Sequence, residues 1–155
     1  MLACVFINPI KHALVIERRE MIIWDKSLST GIPNIDEQHQ ELISNFNKLK
    51  NSIQDGKWRE ETGELLDFLQ FYAKWHFERE EELMDKYNCP VAEANKQGHQ
   101  FFIDRFGQLY EQYQESDTNI EVMMNTFEEL SSWIVQHIVN IDAKLHDYIT
   151  DDNPL

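Results

Sequence analysis

This sequence predicts an all-α protein, an up-down-up-down antiparallel four-helix bundle with an N-terminal arm. Apolar residues recur at three- and four-residue steps rather than in alternation, the period of a helix face. Only five glycines and four prolines interrupt 155 residues, and a chain of this length can bury one sizeable core. The interruptions, "QDGK" and "YNCP" among them, are short, and short connections make consecutive helices antiparallel neighbours.

The first helix is expected from Ile35 to Gln54. Asn34 and Glu37 have the spacing of an N-cap and its reciprocal acid, and Pro33 precedes them. Its inward stripe is Ile35, His39, Leu42, Ile43, Phe46, Leu49 and Ile53. The second helix, Arg59 to Tyr87, carries Leu65, Leu69, Ala73, His76, Glu80, Leu83 and Tyr87 on one face. Pro90, comfortable only in a first turn, opens the third, which runs to Gln114. Its stripe is Val91, Asn95, Gly98, His99, Phe102, Phe106, Leu109 and Tyr113. Thr118 and Glu121 read as a capping box for a fourth helix reaching Tyr148, with Met123, Phe127, Leu130, Ile134, His137, Ile138, Ile141 and Leu145 inward. Residues 22 to 33 form the arm, expected to pack through Ile23, Trp24 and Leu28.

Four of the six histidines fall on the inward stripes, one per helix: His39, His76, His99 and His137. Two acids join them, Glu80 one helical turn after His76 and Asp142 five residues after His137. Any one inward histidine reads most simply as a hydrogen-bonded core residue. Six such groups together would cost on the order of several kcal/mol to desolvate, and a metal cluster removes that cost. Imidazoles mixed with carboxylates suit iron, manganese or zinc, and the set exceeds what one tetrahedral ion needs. Two ions bridged by Glu80 and Asp142 use it naturally. The Glu-x-x-His motifs of ferritin-like bundles are absent.

These residues resemble the bacterial hemerythrin (bacteriohemerythrin) family over about residues 22 to 149. "WDKSLSTGIPNIDEQHQEL" is similar to its N-terminal signature and contains His39; "HFEREEELM" is similar to its His-x-x-x-Glu motif, with His76 and Glu80. "HQFF" around His99 and "HIVNID", with His137 and Asp142, complete the pattern. The resemblance implies a non-haem di-iron, oxygen-binding protein that is not an enzyme. Its cofactor would be two iron ions (Fe2+/Fe3+) with a bridging oxo or hydroxo group. His39 and His76 would hold one iron, His99 and His137 the other, and Glu80 and Asp142 would bridge. There is one departure: where the family carries His-x-x-x-His on the third helix, "NKQGH" places Asn95 at the first position. An amide oxygen is a weak ligand beside imidazole, so Asn95 is a doubtful metal position. Three outcomes follow: a water filling the gap, a labile second metal, or an exchangeable position there.

The other features are plainer. Trp24, Phe77, Phe102, Trp133 and Ile138 are candidates for a dry oxygen pocket or for ordinary core packing. The acids Glu78, Glu81 and Glu82 read as a solvated face, and His12 and His146 as surface or structural residues. Twenty-eight acids against 14 Lys and Arg leave a formal charge of −14, which disfavours nucleic acid and anionic membrane surfaces as partners. Cys4 and Cys89 read as reduced thiols of a cytoplasmic protein. No Gly-rich phosphate loop, nucleophile triad or Cys-x-x-Cys is present. Residues 1–21 form an apolar extension, a poor signal peptide that is expected to be disordered or, if translation starts at Met21, largely untranslated; 150–155 form a tail. Molecular oxygen is the expected partner, for storage, delivery or scavenging. Alternatives are an oxygen or redox sensor or interaction module, and a di-iron enzyme acting on peroxide or nitric oxide.

Overall fold

The computed structural model describes residues 21–55 and 58–149, and side chains from 21–55 and 61–149. The expectations for Cys4, His12, the extension before Met21 and the tail lie outside these residues. Four helices follow one another: α1 Pro33–Gln54, α2 Trp58–Lys86, α3 Ala92–Gln114 and α4 Ile120–Asn140. Helix contacts run round a ring, α1 to α2 to α3 to α4 and back to α1, which is the arrangement of a four-helix bundle. Among the described residues there is no strand.

The helix starts differ from the capping pattern in the sequence. Pro33 is itself the first residue of α1, where its missing N–H is no loss, and Ile32 before it provides no side-chain cap. Asn34 therefore lies inside the helix. Asp36 reaches back instead, accepting from the Thr30 N–H and hydroxyl, both at 2.7 Å, and from the Ser29 hydroxyl at 2.6 Å. At α4 the cap is Asn119, whose side chain accepts from the N–H groups of Glu121 and Val122. Thr118 donates to the carbonyls of Gln112 and Glu115, closing the preceding turn.

Helix ends differ too. Asn88, at φ 50°, ends α2 in the left-handed conformation that asparagine tolerates, and the Cys89 N–H closes onto the Met84 carbonyl at 2.8 Å. Pro90 sits in the following turn, so α3 begins at Ala92. The fourth helix does not reach Tyr148. It ends at Asn140, and a 3₁₀ helix, Asp142–Asp147, follows.

The expected stripes of α1 and α4 are buried, apart from a half-buried Ile141. On α2 the buried line is Thr62, Leu66, Leu69, Ala73, His76, Phe77, Glu80 and Met84. Leu65, Leu83 and Tyr87 lie at its half-buried margin, because a 29-residue helix drifts relative to a strict three-four count. In the arm, Ile23 is 77% exposed while Ile22 and Trp24 pack on the core. The arm is extended, so neighbours point to opposite sides. Asn47 holds Ile22 by both its N–H (3.0 Å) and its carbonyl (2.9 Å).

Candidate metal centre

The six predicted residues meet at one end of the bundle, and all are at most 8% exposed. Their ligand atoms form two groups, Glu80–His99–His137–Asp142 and His39–His76–Glu80, each with atoms within 4.8 Å of one another. Glu80 belongs to both. Either group could hold a metal ion.

Helix geometry explains five of the six. His76 and Glu80 are one turn apart on α2, while His39, His99 and His137 each sit mid-face on their own helix. Asp142 needs more. In an unbroken helix it would lie roughly 140° round from His137. Ile141, with φ −115° and ψ −62°, breaks the helix between them. The Asp142 carboxylate then spans two imidazoles, Oδ1 3.1 Å from His137 Nε2 and Oδ2 3.3 Å from His39 Nε2. Glu80 lies between His99 and the same His39, Oε2 3.3 Å from His99 Nε2 and Oε1 4.0 Å from His39 Nε2.

Two further residues orient the rings. His76 Nδ1 donates to Gln38 Oε1 at 2.7 Å, and His99 Nδ1 donates to Glu81 Oε1 at 2.8 Å. In each case the oxygen can only accept, so Nδ1 carries the hydrogen and Nε2 is left as the lone-pair nitrogen. Glu81 is thus half-buried and engaged, not part of the solvated face expected for it. Gln38, adjacent to His39 on α1, carried no sequence signal. A hint existed for Glu81 in its place directly after Glu80, on the flank of the same helical face.

Asn95 is fully buried within the cluster. Its Oδ1 accepts from His137 Nε2 at 2.7 Å, and its Nδ2 has no hydrogen-bond partner. Gly98, one turn on, leaves room for the His137 ring: a Cβ there would lie 2.7 Å from Cε1 and 2.9 Å from Nδ1.

The electrostatics follow from this crowding. Burial, reinforced by the Asp142 carboxylate, pushes the Glu80 carboxyl well above the usual range. Burial would raise Asp142 as well, but the imidazoles of His137 and His39 outweigh it and hold this carboxyl low. Burial depresses His76 strongly, helped by neighbouring His39, and brings His99 down to about 3, helped by His137. Burial thus leaves His76 and His99 neutral, the state in which an imidazole can ligate a metal, while a bound cation would have to displace the proton that burial favours on Glu80.

Among the described residues, seven of the nine buried side-chain polar atoms without a hydrogen-bond partner gather here, Gln112 Oε1 and Glu128 Oε1 being the others: both nitrogens of His39, both oxygens of Glu80, His99 Nε2, Asp142 Oδ1 and Asn95 Nδ2. Natural proteins rarely leave such a group unsatisfied. The carboxylate oxygens and the imidazole nitrogens free of hydrogen bring their lone pairs within 4.8 Å of one another in each group, and a cation is the partner that fits them.

Aromatic rings wall the site. Phe77 stacks on His99 with centroids 3.8 Å apart, and Trp133 stacks on His137 at 4.3 Å. A cavity of about 10 Å³, the size of one water, is lined by Leu42, Phe77, Trp133, Ile134 and Ile138 together with His39, His76, His137 and Asp142. Trp24 and Phe102, two of the expected pocket residues, do not line it. Trp24 lies against His39 from outside, with centroids 6.5 Å apart, and Phe102 packs in the aromatic core. His146 is exposed, apart from the cluster.

A family model for the Hemerythrin HHE cation binding domain matches residues 30–149. The chain belongs to the hemerythrin family. It is 32% identical over 129 residues to a bacteriohemerythrin of Stenotrophomonas maltophilia, covering 83% of this chain and 82% of that one. A bacteriohemerythrin of Pseudomonas aeruginosa is 30% identical over 128 residues, covering 83% and 81%, and one of Methylococcus capsulatus is 29% identical over 123, covering 79% and 92%. A metal-binding, hemerythrin-type bundle is therefore what sequence and geometry share. No described helix is long and apolar enough to cross a membrane.

Proposed function

We propose that this chain is a non-haem di-iron protein that binds molecular oxygen reversibly, for storage, delivery or scavenging in the cytoplasm, within a domain spanning residues 22–149. The observation that carries it is the pair of buried donor groups joined through Glu80, with their unsatisfied lone pairs facing one another. His39 and His76 would hold one iron and His99 and His137 the other, with Glu80 and Asp142 bridging. When bound, a reduced iron pair supplies the two electrons that oxygen takes up on binding and gives back on release.

The chain's own residues do the rest. Gln38 and Glu81 keep the hydrogens of His76 and His99 on their outer nitrogens, so the inner ones are free to ligate. Asp142 and Glu80 bring negative charge to offset that of two cations. Phe77, Trp133, Ile134, Ile138 and Leu42 leave room for a water-sized molecule and little else, which limits access of water and protons. That dryness favours reversible binding over turnover of peroxide or nitric oxide. Asn95 stands where a further imidazole would belong, and the iron of His99 and His137 would have an amide oxygen or a water in its place.

The test is optical. Iron-loaded, reduced protein is exposed to oxygen and then purged. A visible charge-transfer band that rises with oxygen and falls on purging supports the reading. Immediate, permanent conversion to the oxidised spectrum would rule out an oxygen carrier.

A further inference from the structure

The two halves of the site are supported unequally. The outer nitrogen of His76 meets a neutral amide, Gln38, whereas that of His99 meets a carboxylate, Glu81. The half with the carboxylate is also the half with Asn95, whose Oδ1 lies 2.7 Å from His137 Nε2 inside the donor cluster. An amide oxygen donates more weakly than imidazole to a first-row divalent metal. A carboxylate accepting from the far N–H of a ligating imidazole makes that ring more basic and a better donor. Lys96 is directed to Asp85, at 2.7 and 2.9 Å, and leaves Glu81 as the acceptor of the His99 N–H.

Building on the dinuclear reading, we propose that Glu81 is a positioning residue that holds the metal at Glu80–His99–His137–Asp142, offsetting the nitrogen donor that Asn95 does not supply. Glu81 touches neither metal nor oxygen. It acts through His99, fixing the tautomer and strengthening the Nε2 donor. The other position, where His76 rests on a neutral amide and His39 on no such support, does not depend on it.

The experiment is a cobalt(II) titration of the metal-free full chain, read by visible d–d absorption against a competing chelator. Four proteins are compared: the natural chain, Glu81→Gln, Asn95→His and the double variant. Glu81→Gln keeps an oxygen acceptor for the His99 N–H, so the ring stays oriented and only the charge is lost. The natural chain should take two cobalt ions in two steps. In Glu81→Gln the weaker step should lose about 10- to 100-fold in affinity, the range typical of such supporting partners, with the tighter step unchanged. Asn95→His should strengthen the weaker step and, in the double variant, restore most of the loss. If Glu81→Gln binds both ions as the natural chain does, weakens both steps equally, or is not rescued by Asn95→His, the role given to Glu81 is overturned while the dinuclear reading stands. If the natural chain takes only one cobalt, both fail together.

Discussion

The same four helices build two unlike regions. Toward the α1–α2 and α3–α4 connections the interior is apolar, with Phe46, Phe106, Phe127, Leu49, Leu66, Leu109 and Met123 at 0–2% exposure. Phe46 stacks on Phe127 with centroids 5.2 Å apart, so the ring of helices is closed by aromatic contact across the bundle. At the other end the same inward positions carry four imidazoles and two carboxyl groups, of which both His39 nitrogens, both Glu80 oxygens, His99 Nε2 and Asp142 Oδ1 lack a hydrogen-bond partner. The apolar half can stabilise the fold by burial alone. The polar half adds desolvation cost until a cation arrives, and the stability of one half is what permits the unsatisfied chemistry of the other.

Removing support from the apolar half should have the largest effect. Phe127→Ala is expected to destabilise the metal-free and metal-loaded protein alike by about 3–5 kcal/mol, read from urea unfolding, with the number of metals bound unchanged. Next comes the metal itself. At free metal about 100-fold above the dissociation constant of the tighter site, filling that site should stabilise the chain by about 2.7 kcal/mol, and a chelator should return the melting temperature to that of the metal-free protein. Gly98→Ala probes where the halves depend on backbone proximity. The added methyl meets the His137 ring and should cost about 1–3 kcal/mol, with weakened metal binding at the Asn95 side first.

The smallest effect is a pH slope confined to the metal-free protein. His76 and His99 are depressed in the fold, His99 from 6.5 to about 3, so the unfolded chain binds more protons and their contribution is lost as pH falls below 6.5. Glu80 has the opposite sign: its raised carboxyl is protonated in the fold, and its contribution fades as pH rises above 4.5. Between pH 4.5 and 6.5 two histidines oppose one carboxyl, so stability should fall with falling pH by on the order of 1 kcal/mol per unit. A urea midpoint that rises on acidification across that window would contradict this balance.

The bundle was legible because helix periodicity and hydrophobic burial agree along α1, α3 and most of α4. Five of the six clustered side chains were legible for the same reason: an ionisable residue on an apolar face is visible as an exception to its own stripe. Asp142 was found through its motif, but its position depends on the break at Ile141, which a periodic reading runs straight through. Gln38 was not legible, and Glu81 only faintly, as the neighbour of Glu80. They sit at the margin of the buried face, where the same residue types usually face water, and their role appears only once two helices bring them against an imidazole. The arm misled by one residue, Ile22 packing where Ile23 was expected, because an extended chain reverses its facing at every step.

The proposed function requires one chain to hold two irons close enough to share Glu80 and Asp142. Electron paramagnetic resonance of the oxidised, iron-loaded protein, with iron counted on the same sample, tests it most directly. Two irons per chain with no ferric signal, as spin coupling through shared bridges requires, is the predicted result. One iron per chain with the signal of an isolated high-spin ferric ion would contradict it.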